Sequence, residues 1–322
     1  MKPILGHTTA LAWYRLAARP APLACAPETP CCLSTKQTLP HEFQLAFQAL
    51  KAQGLSEVEQ HLFHIVVSDT QSRSRGGFVQ SHVQQGYVPV GFLQEYEHFW
   101  IPDIRLIALQ MARYLSLLEL VELYYELCAD YSLSVSPKER YFERPSLTTV
   151  EALCDYAHHT DIHGGKKKAL QALKYVHNHA RSPMETACAM LISLPKRLGG
   201  LGIRDIELNA RIDVPSHLQQ LTRSKYFLAD ILLKKSGTDF EYHGSMHEEE
   251  QRGISDEERR QTLQSLGFEV VVARKQSLFN QQAFVRLFEA LRMQAGERAD
   301  RYPADFAIRQ EKLRQFVLRH YL

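Results

Sequence analysis

Apolar and polar positions change their period twice along this chain. Between residues 61 and 100, short apolar runs (HLFHIVV, GGFVQSHV, YVPVGFL and EHFWI) are separated by Gly, Ser, Asp and Pro. Such runs predict strands of a small antiparallel or meandering sheet. Pro89 belongs at an edge because it donates no ladder hydrogen bond. From Ile101 to Tyr131 the chain is apolar nearly throughout, and Ser116 with Glu119 splits it into two buried helices at a capping box. Thr148 with Glu151 predicts the next helix start, and GGKKKALQALKYVHNHA predicts a helix after its glycine pair. Residues 20–40, rich in Pro, Ser and Thr, read as a connector.

After Arg181 the pattern changes. Ser182, Pro183 and Glu185 predict a capped helix start. YFLADILL predicts a strand, KKSG a turn and TDFEYH a second strand. Ser255 and Glu258 open a helix that Gly267 ends, and FEVVVA predicts a third strand. NQQAFVRLFEALR places Phe284, Leu287, Phe288 and Leu291 on one helical face. The tail from Asp300 predicts one more helix packed back on the body. The fold class expected is therefore an α+β N-terminal half (residues 1–180), a short antiparallel sheet plus helices, followed by an α/β half (residues 181–322).

Composition narrows the function classes. The 322 residues are ample for two domains, and the formal charge of +2 argues against a basic nucleic-acid coat. Six cysteines without a C-x-x-C pair fit neither a zinc ribbon nor a disulfide framework. They suit a reducing cytoplasm, with Cys31 and Cys32 expected as free thiols. The first 26 residues end in an A-x-A-like pattern, but His7, Thr8, Thr9, Arg15 and Arg19 interrupt any apolar core. They read as a short helix of the mature protein rather than a signal peptide. No run approaches the roughly 18 apolar residues of a membrane span, so no membrane association is expected.

If Lys234–Gly237 is a four-residue hairpin loop, Leu233 faces Thr238 and Asp230 faces Glu241. Facing carboxylates on one antiparallel face repel, and a divalent cation between them reverses that sign. His243 falls on the same face as Glu241. A hairpin projecting both acids into water would explain them as well, and a capping box alone would explain Glu185. The H-x-x-x-H spacing of His243 and His247 fits zinc only on a helix, which Gly244 and the preceding strand disfavour.

The set RSPMET, LPKRLGGLGIRDIELNARI, YFLADILL, FEYHGSMH and DEERRQTLQSLGFEVV resembles the PD-(D/E)XK nuclease superfamily, in its very-short-patch-repair-like branch, over about residues 181–292. The resemblance implies a restriction-endonuclease-like α/β fold for the C-terminal half. It implies an acidic triad of Glu185, Asp230 and Glu241 holding Mg²⁺ or Mn²⁺. His243 or His247 would act as general acid or base, and Asp256 with Arg259 or Arg260 would stand near the site. The position usually Asp or Lys in those nucleases is His243 here. The first half, through ILGHTTALAWYR, the 87–131 segment and GGKKKALQAL, is similar to AbiEi-type antitoxin-like proteins. The partners implied are nucleic acid, DNA in particular, and a cognate toxin. Local basic groups for nucleic acid are Arg73, Arg75, Lys166, Lys167, Lys168, Arg259 and Arg260; the lysine run reads equally as a solvated helix start. Two functions stay open: a metal-dependent endonuclease, and a catalytically idle nuclease fold that binds DNA or neutralises a toxin.

Overall fold

The structure, a computed structural model, describes residues 2–26, 38–55, 63–74, 77–84, 86–136, 138–162, 164–244, 257–298 and 302–321. Cys31 and Cys32 lie outside these residues. The chain is mixed α/β and divides into two compact units, Met1–Val176 and His177–Leu322.

In the first unit, strands β1 (Ile4–Leu5), β2 (Ala24–Ala26), β3 (Phe63–Val67), β4 (Val79–Val83), β5 (Leu93–Glu95) and β6 (Trp100–Pro102) form a six-stranded sheet of order β2-β5-β6-β1-β3-β4. The sheet expected to be antiparallel is mixed: β3 pairs with β4 in parallel, and β1 with β6 in parallel. Strand β1 leaves the N-terminal segment just before helix α1 (His7–Tyr14) and inserts between β6 and β3, antiparallel to β3 and parallel to β6. The pairs β5–β6 and β3–β4 stay adjacent but lie on opposite sides of β1. Pro89 lies outside the strands, between β4 and β5.

Helix α2 spans Pro40–Ala52. Helices α3 (Ile104–Met111) and α4 (Leu117–Cys128) divide where the sequence predicts, and Ser116 and Glu119 complete both halves of their box. Leu120, Val121, Tyr124 and Tyr125 are fully buried. Each such side chain stabilises the fold by about 1.5–3 kcal/mol. After the β7–β8 pair (Tyr131–Leu133, Tyr141–Glu143), Thr149 rather than Thr148 caps α5 (Val150–His159), by accepting from Ala152 N. Helix α6 runs Lys166–Leu173, ending before the predicted stretch does.

The second unit opens with α7 (Pro183–Ser193), buried from Met184 to its end. Its sheet has the order β12-β11-β10-β9, with β9 Ile206–Asp213, β10 Tyr226–Leu233, β11 Thr238–His243 and β12 Glu269–Arg274. Strand β9 is an element that the sequence reading did not separate, although its residues alternate strictly between the core and the other face. Helix α8, described over 257–265, is the crossover between the parallel pair β11 and β12. Gly267, at φ +86°, ends it, and Phe268 N donates to Leu263 O. Helices α9 (Lys275–Phe279), α10 (Gln281–Gln294) and α11 (Phe306–Leu318) follow. Phe284, Phe288 and Leu291 are buried as predicted, and Arg314 of α11 donates to the carbonyl of Leu278. No helix among the described residues is long and apolar enough to cross a membrane.

Candidate functional site

Strand β11 is an inner strand of its sheet, so acids on it are covered. Leu233 pairs with Thr238 as predicted, and the recorded pairing continues to Ile231–Phe240. The next pair in that register is Asp230–Glu241. There the side chain takes over from the ladder: Tyr242 N donates to Asp230 Oδ2 at 3.0 Å. Asp239 stands two residues before Glu241, hence on the same face, and is wholly buried.

Glu185 reaches the site from the first turn of α7. Ser182 Oγ accepts from Glu185 N at 3.1 Å, which caps the helix. The Glu185 carboxylate in turn accepts from Arg181 N (2.8 Å), Ser182 Oγ (3.1 Å) and Asn209 Nδ2 (2.9 Å). Asn209 also donates to His179 O at 2.7 Å, tying β9 to the start of α7. His179 and Asn209 both hold positive φ, 69° and 50°. Such outliers need surrounding structure to impose them. Ser182 caps the helix and also donates to the site carboxylate, so cap and site are joined.

Burial pushes Glu185 up to about 7, and the charge of Asp230 adds to that shift. Asp230 is raised as well, by burial first and the Glu241 charge next, against the lowering effect of the Tyr242 N–H. Neither makes an ion pair among the described residues. The other two acids share one cation. Arg259, from α8, donates to Leu228 O (2.8 Å), Asp239 Oδ2 (3.1 Å) and Glu241 Oε1. Burial opposes charge on Glu241, but the His243 imidazole, 3.4 Å from Oε2, and the Arg259 guanidinium outweigh it and lower its pKa. Asp239 is raised by burial and then by the Glu241 charge, and its Oδ1 has no hydrogen-bond partner among the described residues.

Glu185 is linked to Asp230 and Asp230 to Glu241 by charge, and Glu241 to His243 by a hydrogen bond. His247, Asp256 and Arg75 lie outside the described residues. The two arginines expected together part company: Arg259 turns inward onto the acids, and Arg260 pairs outward with Glu257 at 2.8 Å. In the first unit, Lys166 Nζ caps the carbonyls of His158 and Thr160, and Lys168 Nζ that of Leu115. Lys167 and Arg73 are exposed. Sequence reasoning missed Asp239 and Asn209. Strand alternation back from Glu241 marks Asp239; nothing in the sequence marks Asn209, whose role depends on its backbone angle.

Among the described residues, no group of three or more His, Cys, Asp or Glu side chains converges in a metal-holding arrangement. The donor chemistry does suit a hard cation, since carboxylate oxygens are what such an ion takes. Comparison of the chain with protein-family models, curated proteins and solved structures gives no match.

Proposed function

We propose that residues 181–322 form a metal-dependent phosphodiesterase of the PD-(D/E)XK kind, with nucleic acid, DNA in particular, as substrate. One observation carries this reading: Glu185 is buried beside the Asp230 charge, burial raises both acids, and neither has an ion-pair partner among the described residues. An arrangement that costs stability by itself is offset when a divalent ion binds. Glu185, Asp230 and Glu241 would hold Mg²⁺ or Mn²⁺. When bound, such an ion supplies Lewis-acid activation of water and neutralisation of phosphoryl charge. The chain's own part is then to place the phosphodiester against the acids and to move a proton. His243, hydrogen-bonded to Glu241, is the group suited to that transfer.

Arg259 favours a second reading. Its guanidinium already supplies Asp239 and Glu241 with a fixed cation. A nuclease fold neutralised in this way would serve as an idle DNA-binding module, or would neutralise a toxin together with the AbiEi-like first half. Thermal unfolding with and without Mg²⁺ or Mn²⁺, followed by a plasmid-nicking assay, separates the two. Metal-induced stabilisation with nicking that Glu241→Gln abolishes supports the nuclease. No response to either metal leaves the idle module.

A further inference from the structure

The first unit carries a side-chain cluster that the carboxylate site does not use. His7 opens α1, His64 lies on β3 and His82 on β4. His7 stacks on His82 with ring centroids 3.5 Å apart, and His64 stacks on the same ring at 5.0 Å. His82 is tied at both nitrogens: Nε2 meets His64 Nδ1 at 2.7 Å, and Nδ1 meets the Tyr114 hydroxyl at 3.0 Å. Tyr114 is 56% exposed, whereas His7 and His82 are buried, so the cluster opens to solvent on the Tyr114 side.

The local backbone is held in an uncommon conformation to make this contact. His7 has φ 50°, which a non-glycine residue adopts only under constraint. Gly6 before it has no room for a side chain, since a Cβ would collide with Val66 Cγ2. Gly6 therefore leaves α1 without a side-chain cap, and the helix start keeps its positive end. Against that start stands the amide of Gln110, only 3% exposed. Its Oε1 accepts from His7 N at 3.3 Å, and its Nε2 has no hydrogen-bond partner among the described residues. A buried donor left unmade is costly, and aromatic packing alone would not require one.

The charges are all of one sign. Burial, then the neighbouring imidazoles and Arg113, hold His7 down at about 2. Burial, then His64, Arg113 and Arg73, hold His82 at about 4. No carboxylate of the described residues acts on either ring. Arg113 makes one long contact, 3.5 Å, to Val83 O.

We propose that His7, His82, Gln110 and Arg113 form an oxyanion site that takes a phosphate group, with Arg73 at its edge. A phosphate oxygen accepts from Gln110 Nε2, its charge offsets the two guanidiniums, and it lets the imidazoles take up a proton. Arg113 beside an uncapped helix start, with Arg73 acting on His82, matches a doubly charged oxyanion better than a carboxylate. None of these residues belongs to the carboxylate site, so this site and the nuclease reading stand or fall separately.

The test uses the full chain and follows the imidazole C–H resonances by NMR. The probes are inorganic phosphate, a 5′-mononucleotide and a short single-stranded oligonucleotide. Saturable shifts at His7 and His82 are expected, with an affinity that Arg113→Gln weakens about tenfold or more while the melting temperature holds. Tightest binding of the oligonucleotide identifies a nucleic-acid strand as the source of the phosphate; equal binding of all three identifies free phosphate or a nucleotide. The proposal is overturned by the absence of saturable shifts with all three probes. Shifts that acetate reproduces at equal ionic strength, or that Arg113→Gln leaves unchanged, overturn it as well.

Discussion

Among the described residues, the carboxylate site holds four acids against one inward arginine, and the histidine cluster holds three imidazoles and two arginines against no acid. Both are largely buried, and both include non-glycine residues at positive φ, His7 in one and His179 with Asn209 in the other. They are built by different means. The acids are pinned by hydrogen bonds from a helix start and from backbone N–H groups. The imidazoles are pinned by stacking and by a hydrogen-bonded ring chain. The contrast shows that burial alone does not tell what a polar cluster is for; the sign of its uncompensated charge does. Among the described residues, the acids outnumber the cation that faces them, and the guanidiniums by the imidazoles face no carboxylate.

The strongest way to break this comparison is to remove the cation the acids already have. Arg259→Met leaves Asp239 and Glu241 buried without a counter-charge. It should cost about 3–5 kcal/mol in urea unfolding at neutral pH, part of which Mn²⁺ restores. A loss below about 1 kcal/mol would show that the acids do not need Arg259.

The next effect is pH-dependent. The Glu185 pKa is raised in the folded state to about 7 from an ordinary 4.5, so the folded state binds more protons than the unfolded between those values. Its contribution is fully present below pH 4.5 and is lost as pH rises to 7, by on the order of 3 kcal/mol. Depressed histidines such as His82 and His177 act with the opposite sign, their contribution being lost as pH falls below 6.5 toward about 4. A difference between variants isolates the acid. Asp230→Asn keeps the acceptor for Tyr242 N and should stabilise the protein by about 1–2 kcal/mol at pH 7.5 and by almost nothing at pH 4.5. Equal effects at both pH values would dissolve the Glu185–Asp230 coupling.

Asn209→Ala should cost about 2 kcal/mol through the lost contacts to Glu185 and His179 O. Asn209→Gly should cost less, since glycine accepts φ 50° freely. If Gly is the worse of the two, the backbone is not strained there. Smallest of all, Tyr114→Phe removes the hydroxyl at His82 Nδ1. It should cost about 0.5–1.5 kcal/mol and leave any response to Mn²⁺ untouched.

Much of the second unit was legible without coordinates. Strand β10 is the octapeptide that alternation marks, the hairpin register follows from a four-residue loop, and Ser182, Gly267 and the Phe284/Phe288 stripe fall where local chemistry puts them. These features depend on residues near one another in the chain, whose periods and capping preferences are intrinsic. Only the tertiary structure decided the rest. That β1 enters between β6 and β3 depends on contacts 60 to 100 residues apart. That Arg259 faces the acids and Arg260 the solvent depends on how α8 is turned over the sheet, which two adjacent identical residues cannot reveal. His7, His64 and His82 each look unremarkable in sequence. Their meeting depends on a glycine that allows close approach and on a parallel strand pair, both matters of long-range packing rather than local pattern.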